Sequence, residues 1–302
     1  METHATPLTR RSLLAGVASL PLALEACAQR SAERPISVGS KNFTEELIVG
    51  HMYAQLLEHA GYPVTRKLNL GGVAVAMAAM QRGDIDLYPE YTGTGLVVQL
   101  KMQPLRSESA VYATVKREYQ RRYKMTWLEP APMDDSQALA TTQAISQKYG
   151  LRTLSQLAVL APKLRLGAIP EFVQRPDGLP GLRKLYGGFH FKSVRLFDIG
   201  LKYEALRHGD VDVVVAFGTD GQIDAYHLVV LDDDKHLWPP YHIAPVVRDD
   251  ALARWPKIAP ALDALAPHLT DAAVRHLNWE VDGSKRDPAD VARDFLKRTG
   301  LV

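Results

Sequence analysis

The chain has 302 residues, a length that allows about two domains, and its 46% hydrophobic and 23% charged residues are ordinary for a folded globular protein. A formal net charge of +2, from 36 Lys and Arg against 34 Asp and Glu, gives no electrostatic case for a nucleic-acid partner, which needs a concentrated excess of cations. A single cysteine excludes an intramolecular disulfide, a Cys-based zinc site, a redox pair and an iron–sulfur cluster.

The segment Thr9-Arg10-Arg11-Ser12 precedes an apolar run from Leu13 to Leu24 that is shorter than the ~20 residues of a membrane-spanning helix. A basic start, an apolar middle and small residues after it describe an export signal. The adjacent arginines fit the twin-arginine route and equally an ordinary secretory signal. The sole cysteine, Cys27, stands where the signal should end. Leu24-Glu25-Ala26-Cys27 is similar to a bacterial lipoprotein box, in which the cysteine is acylated, although Glu25 departs from the small or apolar residue usual there. Cleavage after Ala28 is the competing reading, and the placement of the only cysteine favours lipidation. Either reading puts the mature protein outside the cytoplasmic membrane. Residues 1–34 are therefore set aside as export signal and tether, and no other apolar run approaches ~18 residues.

Ile36 to Ser40 reads as a first strand. Thr44 is placed to cap the helix that follows, with Glu45 and Glu46 suited to the positive end of its dipole and Leu47, Ile48, Met52, Leu56 and Leu57 at helical spacing. Gly61-Tyr62-Pro63 stops that helix, Val64 to Leu68 is a second strand, and Gly71-Gly72 opens an apolar helix ended by Gly83. Ile85 to Tyr88 is a third strand. In the second half, Leu164 to Ile169 is a strand and Ile199 to Arg207 a helix. Val211 to Phe217 is a strand apolar enough to be buried on both faces, and Leu228 to Leu231 and Ile243 to Val247 are two more. From Asp249 onward the pattern is helical, with Pro256, Pro260 and Pro288 near helix starts. Alternating strands and helices give an α/β class with largely parallel strands. Two phrases, Gln81-Arg82-Gly83-Asp84-Ile85-Asp86-Leu87 and Arg207-His208-Gly209-Asp210-Val211-Asp212-Val213, are similar, each ending a helix with glycine and entering a strand with two acidic residues. They could be a trace of related lobes, but any helix–glycine–strand junction reads this way.

Enzymatic signatures are missing: there is no G-x-S-x-G, Walker loop, H-E-x-x-H or G-x-G-x-x-G. Gly71-Gly72 is better read as a tight turn than as an anion cradle, and Asp232-Asp233-Asp234 as a solvated turn than as a metal site. Polar and aromatic residues collect instead in five segments: Lys41-Asn42-Phe43-Thr44, Tyr88 to Thr94, Phe172 to Gly178, Phe217 to Gly221 and Trp238-Pro239-Pro240-Tyr241. The first two are expected as turns beyond the carboxyl ends of strands, where open α/β sheets bind ligands. Aromatic faces hold a quaternary ammonium, at ~0.5–2 kcal/mol per well-placed ring, and a guanidinium holds a carboxylate through a bidentate fork. The combination suits a small zwitterion.

Gly39 to Glu46, Leu87 to Thr94, Arg175 to Gly181, and Asp233-Asp234-Lys235 through Pro239-Pro240-Tyr241 resemble, in the same order, the substrate-binding component of osmoprotectant ABC importers, from about Ile36 to Val302. That family binds glycine betaine, choline, carnitine or proline betaine. The resemblance implies a type II periplasmic-binding-protein fold: two α/β lobes joined by two crossing segments, near Met133–Gln137 and Leu237–Tyr241, with the ligand in the cleft. One lobe is expected over 35–135 plus 240–302, the other over 136–239. By motif, Tyr91 and Tyr241 match cage aromatics, Phe217 a position often Tyr in relatives, and Lys41, Thr94 and Arg175 the carboxylate anchors. Gln137 stands where the family often carries a further aromatic. Its added donor and acceptor point to a ligand with an extra polar group, such as a ring-bearing betaine like ergothioneine. The implied partners are a quaternary amine and an ABC permease with its ATPase subunit, with no cofactor or metal, membrane contact only through lipid on Cys27, and action as a monomer. The competing enzyme reading would use Asp135, Glu90 and His242 as acid–base groups. Their routine alternatives are a hinge residue, a helix cap and a rim histidine, and no nucleophile–base spacing supports catalysis. A sensor domain binding the same ligand is a third reading.

Overall fold

The structure, a computed structural model, describes residues 34–302 together with Glu2, so Arg10, Arg11 and Cys27 of the export segment lie outside the described residues. The described strands are β1 (Ile36–Gly39), β2 (Val64–Lys67), β3 (Leu87–Tyr91), β4 (Met125–Trp127), β5 (Gln137–Thr141), β6 (Arg165–Ala168), β7 (Ser193–Leu196), β8 (Val213–Phe217), β9 (Val229–Val230) and β10 (Ile243–Arg248). They form two five-stranded sheets, in the orders β2-β1-β3-β10-β4 and β7-β6-β8-β5-β9.

The sheets repeat one plan. In the first, β1 pairs in parallel with β2 and β3, and β10 lies antiparallel between β3 and β4. In the second, β6 pairs in parallel with β7 and β8, and β5 lies antiparallel between β8 and β9. This is the type II periplasmic-binding-protein architecture that the resemblance implies. The two similar phrases now fall on equivalent positions, each closing a helix with a left-handed glycine (φ +74° at Gly83, +73° at Gly209) ahead of β3 or β8. The second acidic residue also does the same work in both. Asp86 accepts from the Ser37 amide at 2.8 Å and from Arg34, while Asp212 accepts from the Arg165 amide at 2.8 Å and from its guanidinium. The shared pattern therefore marks related lobes, because the same carboxylate clasp is needed where a third strand enters beside the first.

The inner strands β1, β3, β5, β8 and β10 are buried along almost all of their length, whereas the edge strands β2 and β7 are largely exposed. Along β8, Val213 and Val215 enter one apolar core and Val214 and Ala216 the other, following the alternation of a strand. The C-terminal helix Pro288–Arg298 returns to pack on the first long helix, Thr44–His59.

The chain passes between sheets twice, over residues 128–136 and 231–242. The passages are bonded to each other: the Asp135 amide donates to the Tyr241 carbonyl at 3.1 Å, and the Tyr241 amide to Asp134 Oδ1 at 2.8 Å. His242 is buried here, its Nδ1 2.9 Å from the Met133 carbonyl, not at a rim.

Several local expectations change. Phe43, not Thr44, is the N-cap, and Thr44 turns its hydroxyl to Asp282 at 2.6 Å on the helix Asp271–Asp282. Tyr88–Tyr91 belongs to β3 itself, because its pairing with β10 carries the strand to Tyr91 before a helix starts at Thr92. Glu90 is accordingly a strand residue and caps nothing. Phe172–Gln174 is helical, since Pro170 sits at the first turn of a short helix. Asp233 is tied down, accepting from the Tyr186 hydroxyl and, at 3.0 Å, from the Trp238 amide.

Asp86→Ala leaves the buried Ser37 amide without its acceptor and is expected to cost about 1–3 kcal/mol in denaturant unfolding. Asp212→Ala should cost less, because the Asp212 side chain is 18% exposed against 5% for Asp86.

Candidate ligand-binding cleft

The carboxyl ends of β1, β3, β6 and β8 point toward one another across the crossings, and a partly enclosed cavity of about 70 Å³ lies between them. A single buried water needs roughly 10–15 Å³ on such a scale, so the space takes a small molecule or several waters. Lys41, Tyr91, Thr94, Gln137, Arg175, Phe217 and Tyr241 all line this one cavity. Lys41 follows β1, Tyr91 ends β3, Gln137 starts β5, Phe217 ends β8 and Tyr241 sits on the second crossing.

The apolar wall is aromatic. Phe43 stacks on Tyr91 with centroids 6.1 Å apart and rings 28° from parallel. The Tyr241 ring covers Gly93, where a Cβ would come within 2.7 Å of it, so only glycine allows the ring to lie there. Its hydroxyl donates to Asp177 at 2.5 Å and accepts from Gln137 Nε2 at 3.3 Å. Buried lysines back two rings: Lys41 Nζ lies 4.7 Å from the Tyr91 centroid and Lys202 Nζ 5.4 Å from that of Phe217.

Arg175 is the guanidinium of the cavity. It forks onto Asp177 through Nε at 2.8 Å and Nη2 at 2.7 Å, and Nη2 also reaches Thr94 Oγ1 at 3.4 Å in the other lobe. Asp177 and the neighbouring carboxylates keep it firmly charged against its burial. Lys41 differs from the role the resemblance gives it. Its ammonium is 2.5 Å from Glu90 Oε1 and 3.2 Å from Glu46 Oε1, so its charge is already met by two carboxylates and it is no free anchor. Glu46 also accepts from the Lys41 amide at 2.9 Å. Burial pushes the Glu46 carboxyl up to about 8 against the pull of Lys41, since two carboxylates around one ammonium in a dry site are one charge too many.

A second polar group forms the opposite wall. Glu45 accepts from the Tyr91 hydroxyl at 2.6 Å, from Asn278 Nδ2 at 2.9 Å and from the Thr219 hydroxyl at 2.6 Å. Thr219 Oγ1 also lies 2.6 Å from Asp135 Oδ1. Burial raises both carboxyls, and for Asp135 the nearby Glu45 and Asp220 add to it. Glu45, Asn278 and Asp282 are cavity residues that sequence reasoning did not select, and Phe43 and Thr219 stood only within the polar and aromatic segments it singled out. Glu45 looked like an ordinary helix-dipole residue, and nothing in the sequence pairs it with Asn278, 233 residues away.

The N-terminus of the helix Val73–Arg82 is closed off, because Glu171 crosses from the second lobe and lies against Gly72, where a Cβ would meet its Oε1 at 1.7 Å. With the Arg175–Thr94 and Glu45–Thr219 contacts, this makes the lobes closed upon the cavity. Among the described residues no cluster of His, Cys, Asp and Glu has the arrangement of a metal site, and no helix is long and apolar enough to cross a membrane.

Comparison with known proteins agrees with this geometry. Residues 34–298 match the family model described as the substrate binding domain of ABC-type glycine betaine transport system. The chain is 36% identical over 278 residues to a glycine-betaine-binding protein of Pseudomonas aeruginosa, covering 88% of each. It is 34% identical over 270 residues to a Helicobacter pylori protein named as an ergothioneine transport permease/ergothioneine binding protein, covering 89% of this chain but only 48% of that relative. A solved structure named as a glycine betaine/carnitine/choline ABC transporter superposes with a TM-score of 0.73 at 31% identity, covering 88% of this chain and 99% of the other.

The Glu46 proton gives a stability prediction. The unfolded chain releases it near the ordinary value of 4.5, whereas the folded chain holds it to about 8. This group's contribution is therefore full below about 4.5 and is lost as pH rises toward 8, at up to about 1.4 kcal/mol per pH unit. Glu46→Gln should flatten the fall in thermal midpoint between pH 5.5 and 8, read by differential scanning calorimetry.

Proposed function

The chain belongs to the family of substrate-binding domains of ABC-type glycine betaine transport systems, and from that premise we propose that it captures a zwitterionic quaternary amine outside the cytoplasmic membrane and delivers it to an ABC permease. The observation that carries the reading is one closed cavity presenting Arg175 and Thr94 beside the rings of Tyr91, Tyr241 and Phe217. With Nε and Nη2 of Arg175 on Asp177, its Nη1 is the donor for an incoming carboxylate. The aromatic faces take the trimethylammonium, which donates no hydrogen bond and is held by ring quadrupoles. The carboxylates of Glu45, Asp220 and Asp282 on the same wall favour a cation there. Lys41 orients Glu90 and the Tyr91 ring.

In this reading the lobes run over 35–135 plus 240–302 and over 136–239, closing about the paired crossings. Function needs closure and release only. Asp135, Glu90 and His242 are structural or binding groups, so no turnover is expected. Cys27 carries lipid that tethers a monomeric binding protein, after export by a signal that contains the arginine pair.

A second reading rests on Gln137, a side-chain amide in the cavity wall whose donor and acceptor offer hydrogen bonds that plain glycine betaine cannot use. A betaine bearing a heteroaromatic ring, such as ergothioneine, uses them, and one of the relatives carries that name.

Isothermal titration of the chain from Ala28 onward with glycine betaine, choline, carnitine, proline betaine and ergothioneine tests both readings. Micromolar or tighter binding of one member is expected. Tightest binding of plain glycine betaine goes against the ring-bearing reading, and no binding of any member goes against both. Arg175→Ala should weaken the preferred ligand by roughly 10–100-fold, the loss of a charged hydrogen bond from a buried site, and unchanged affinity would remove Arg175 from the site.

A further inference from the structure

Thr219 Oγ1 lies 2.6 Å from Glu45 Oε2 and 2.6 Å from Asp135 Oδ1. A hydroxyl has one proton, so it can donate to only one of these oxygens and must accept from the other. Two ionised carboxylates at that distance would leave one oxygen facing a lone pair with no proton between them. The donors decide which carboxyl is neutral. Glu45 already receives the Tyr91 hydroxyl on Oε1 and the Asn278 amide on Oε2, so it is the ionised partner. Asp135 has Thr219 alone, through the hydroxyl and, at 3.3 Å, the amide.

The array also spans the parts that move. Glu45 is on the helix Thr44–His59 of the first lobe, Thr219 follows β8 in the second, and Asp135 lies on the first crossing. Asn278 reinforces it by donating to both Glu45 and the Thr219 carbonyl at 2.9 Å. We propose that Glu45, Thr219 and Asp135 form a closure clasp that holds one proton on Asp135, so that the protein takes up a proton when its lobes close on a ligand. On closure, Asp135 gains the proton from solvent and donates it to Thr219 Oγ1, whose own hydrogen points to Glu45 Oε2. On opening, Asp135 is wetted and gives the proton back. These are positioning residues for closure, and the inference rests on the capture-by-closure reading above.

The other charges around the clasp do not supply that proton's balance. Lys41 is met by Glu46 and Glu90. Lys202 lies 3.5 Å from Asp220, which also accepts from the Tyr203 hydroxyl. Arg275 gives its Nε to the Gly218 carbonyl at 2.9 Å, and Asp282 accepts from Gln222 and Thr44. No cation faces Asp135 among these contacts, and burial with Glu45 and Asp220 nearby raises its carboxyl.

The sign follows from linkage. A group whose closed-state pKa is raised favours closure at low pH and loses that contribution as pH rises through the closed-state value, so affinity falls with rising pH by up to about tenfold per pH unit. Calorimetry with ergothioneine and glycine betaine at several pH values between 5.5 and 7.5, in two buffers of different ionisation enthalpy, should show net proton uptake of up to one per ligand bound. Asp135→Asn should abolish the uptake and flatten the pH dependence of affinity, whatever it does to the affinity itself, because its amide can donate to Thr219 but cannot titrate. An infrared difference spectrum, wild type minus Asp135→Asn, gives a second readout. A protonated-carboxyl C=O band that the variant lacks, rising when ligand is added or, where no betaine binds, as free protein is taken from pH 8 to pH 5, supports the clasp. Zero uptake by a probe that binds, a band that neither step changes, or no such band in free or ligand-mixed protein overturns it.

Discussion

Everything in the cleft depends on the two chain crossings being bonded to each other. Residues 128–136 and 231–242 run side by side, tied through Asp135, Tyr241 and Asp134, and each delivers an antiparallel strand into the interior of a sheet. Neither sheet is complete without the strand that arrives through a crossing: β5 divides β8 from β9, and β10 divides β3 from β4. The crossings therefore hold the two sets of strand ends opposite each other. They also place Tyr241 and Asp135 in the cavity wall, so the element that links the lobes contributes binding surface as well.

The cleft collects groups that a stability-driven core would exclude. Lys41, Glu45, Glu46, Glu90, Asp135 and Asp177 are all nearly inaccessible to water. Desolvating such charges costs several kcal/mol each, and pairing offsets this only where geometry is good. The pairing here is good but crowded with carboxylates: two around Lys41, and two about a single threonine hydroxyl. Excess negative charge and electron-rich rings in one enclosed space complement a cation, while Arg175 at the other side complements an anion. A zwitterion is the ligand class whose two ends match this division.

Much of the fold was legible from sequence because its signals are local. Short apolar stretches marked β1, β6 and β8, the stop at Gly61-Tyr62-Pro63 marked the start of β2, and Gly83 and Gly209 marked helix ends through their left-handed backbone. The limits of β3 were not legible, because Pro89 and Gly93 read as turn residues while pairing with β10 carries the strand through to Tyr91. The seven candidate ligand residues were reached through motif resemblance, and the fold brings them to one cavity. What no motif supplied was the state of their charges. Lys41 matched an anchoring cation, yet Glu46 and Glu90 surround it, and Glu46 looked like a routine first-turn acid. Glu45, Thr219 and Asn278 come from three distant segments, and only the assembled lobes put them in contact.

The most direct test of the account is a crystal structure of the protein with the tightest-binding betaine. The account predicts lobes closed as here, the ligand carboxylate on Arg175 and Thr94, and its trimethylammonium against Tyr91, Tyr241 and Phe217. A ligand seated in the reverse sense, or bound outside this cavity with Arg175 still held by Asp177 alone, would contradict it.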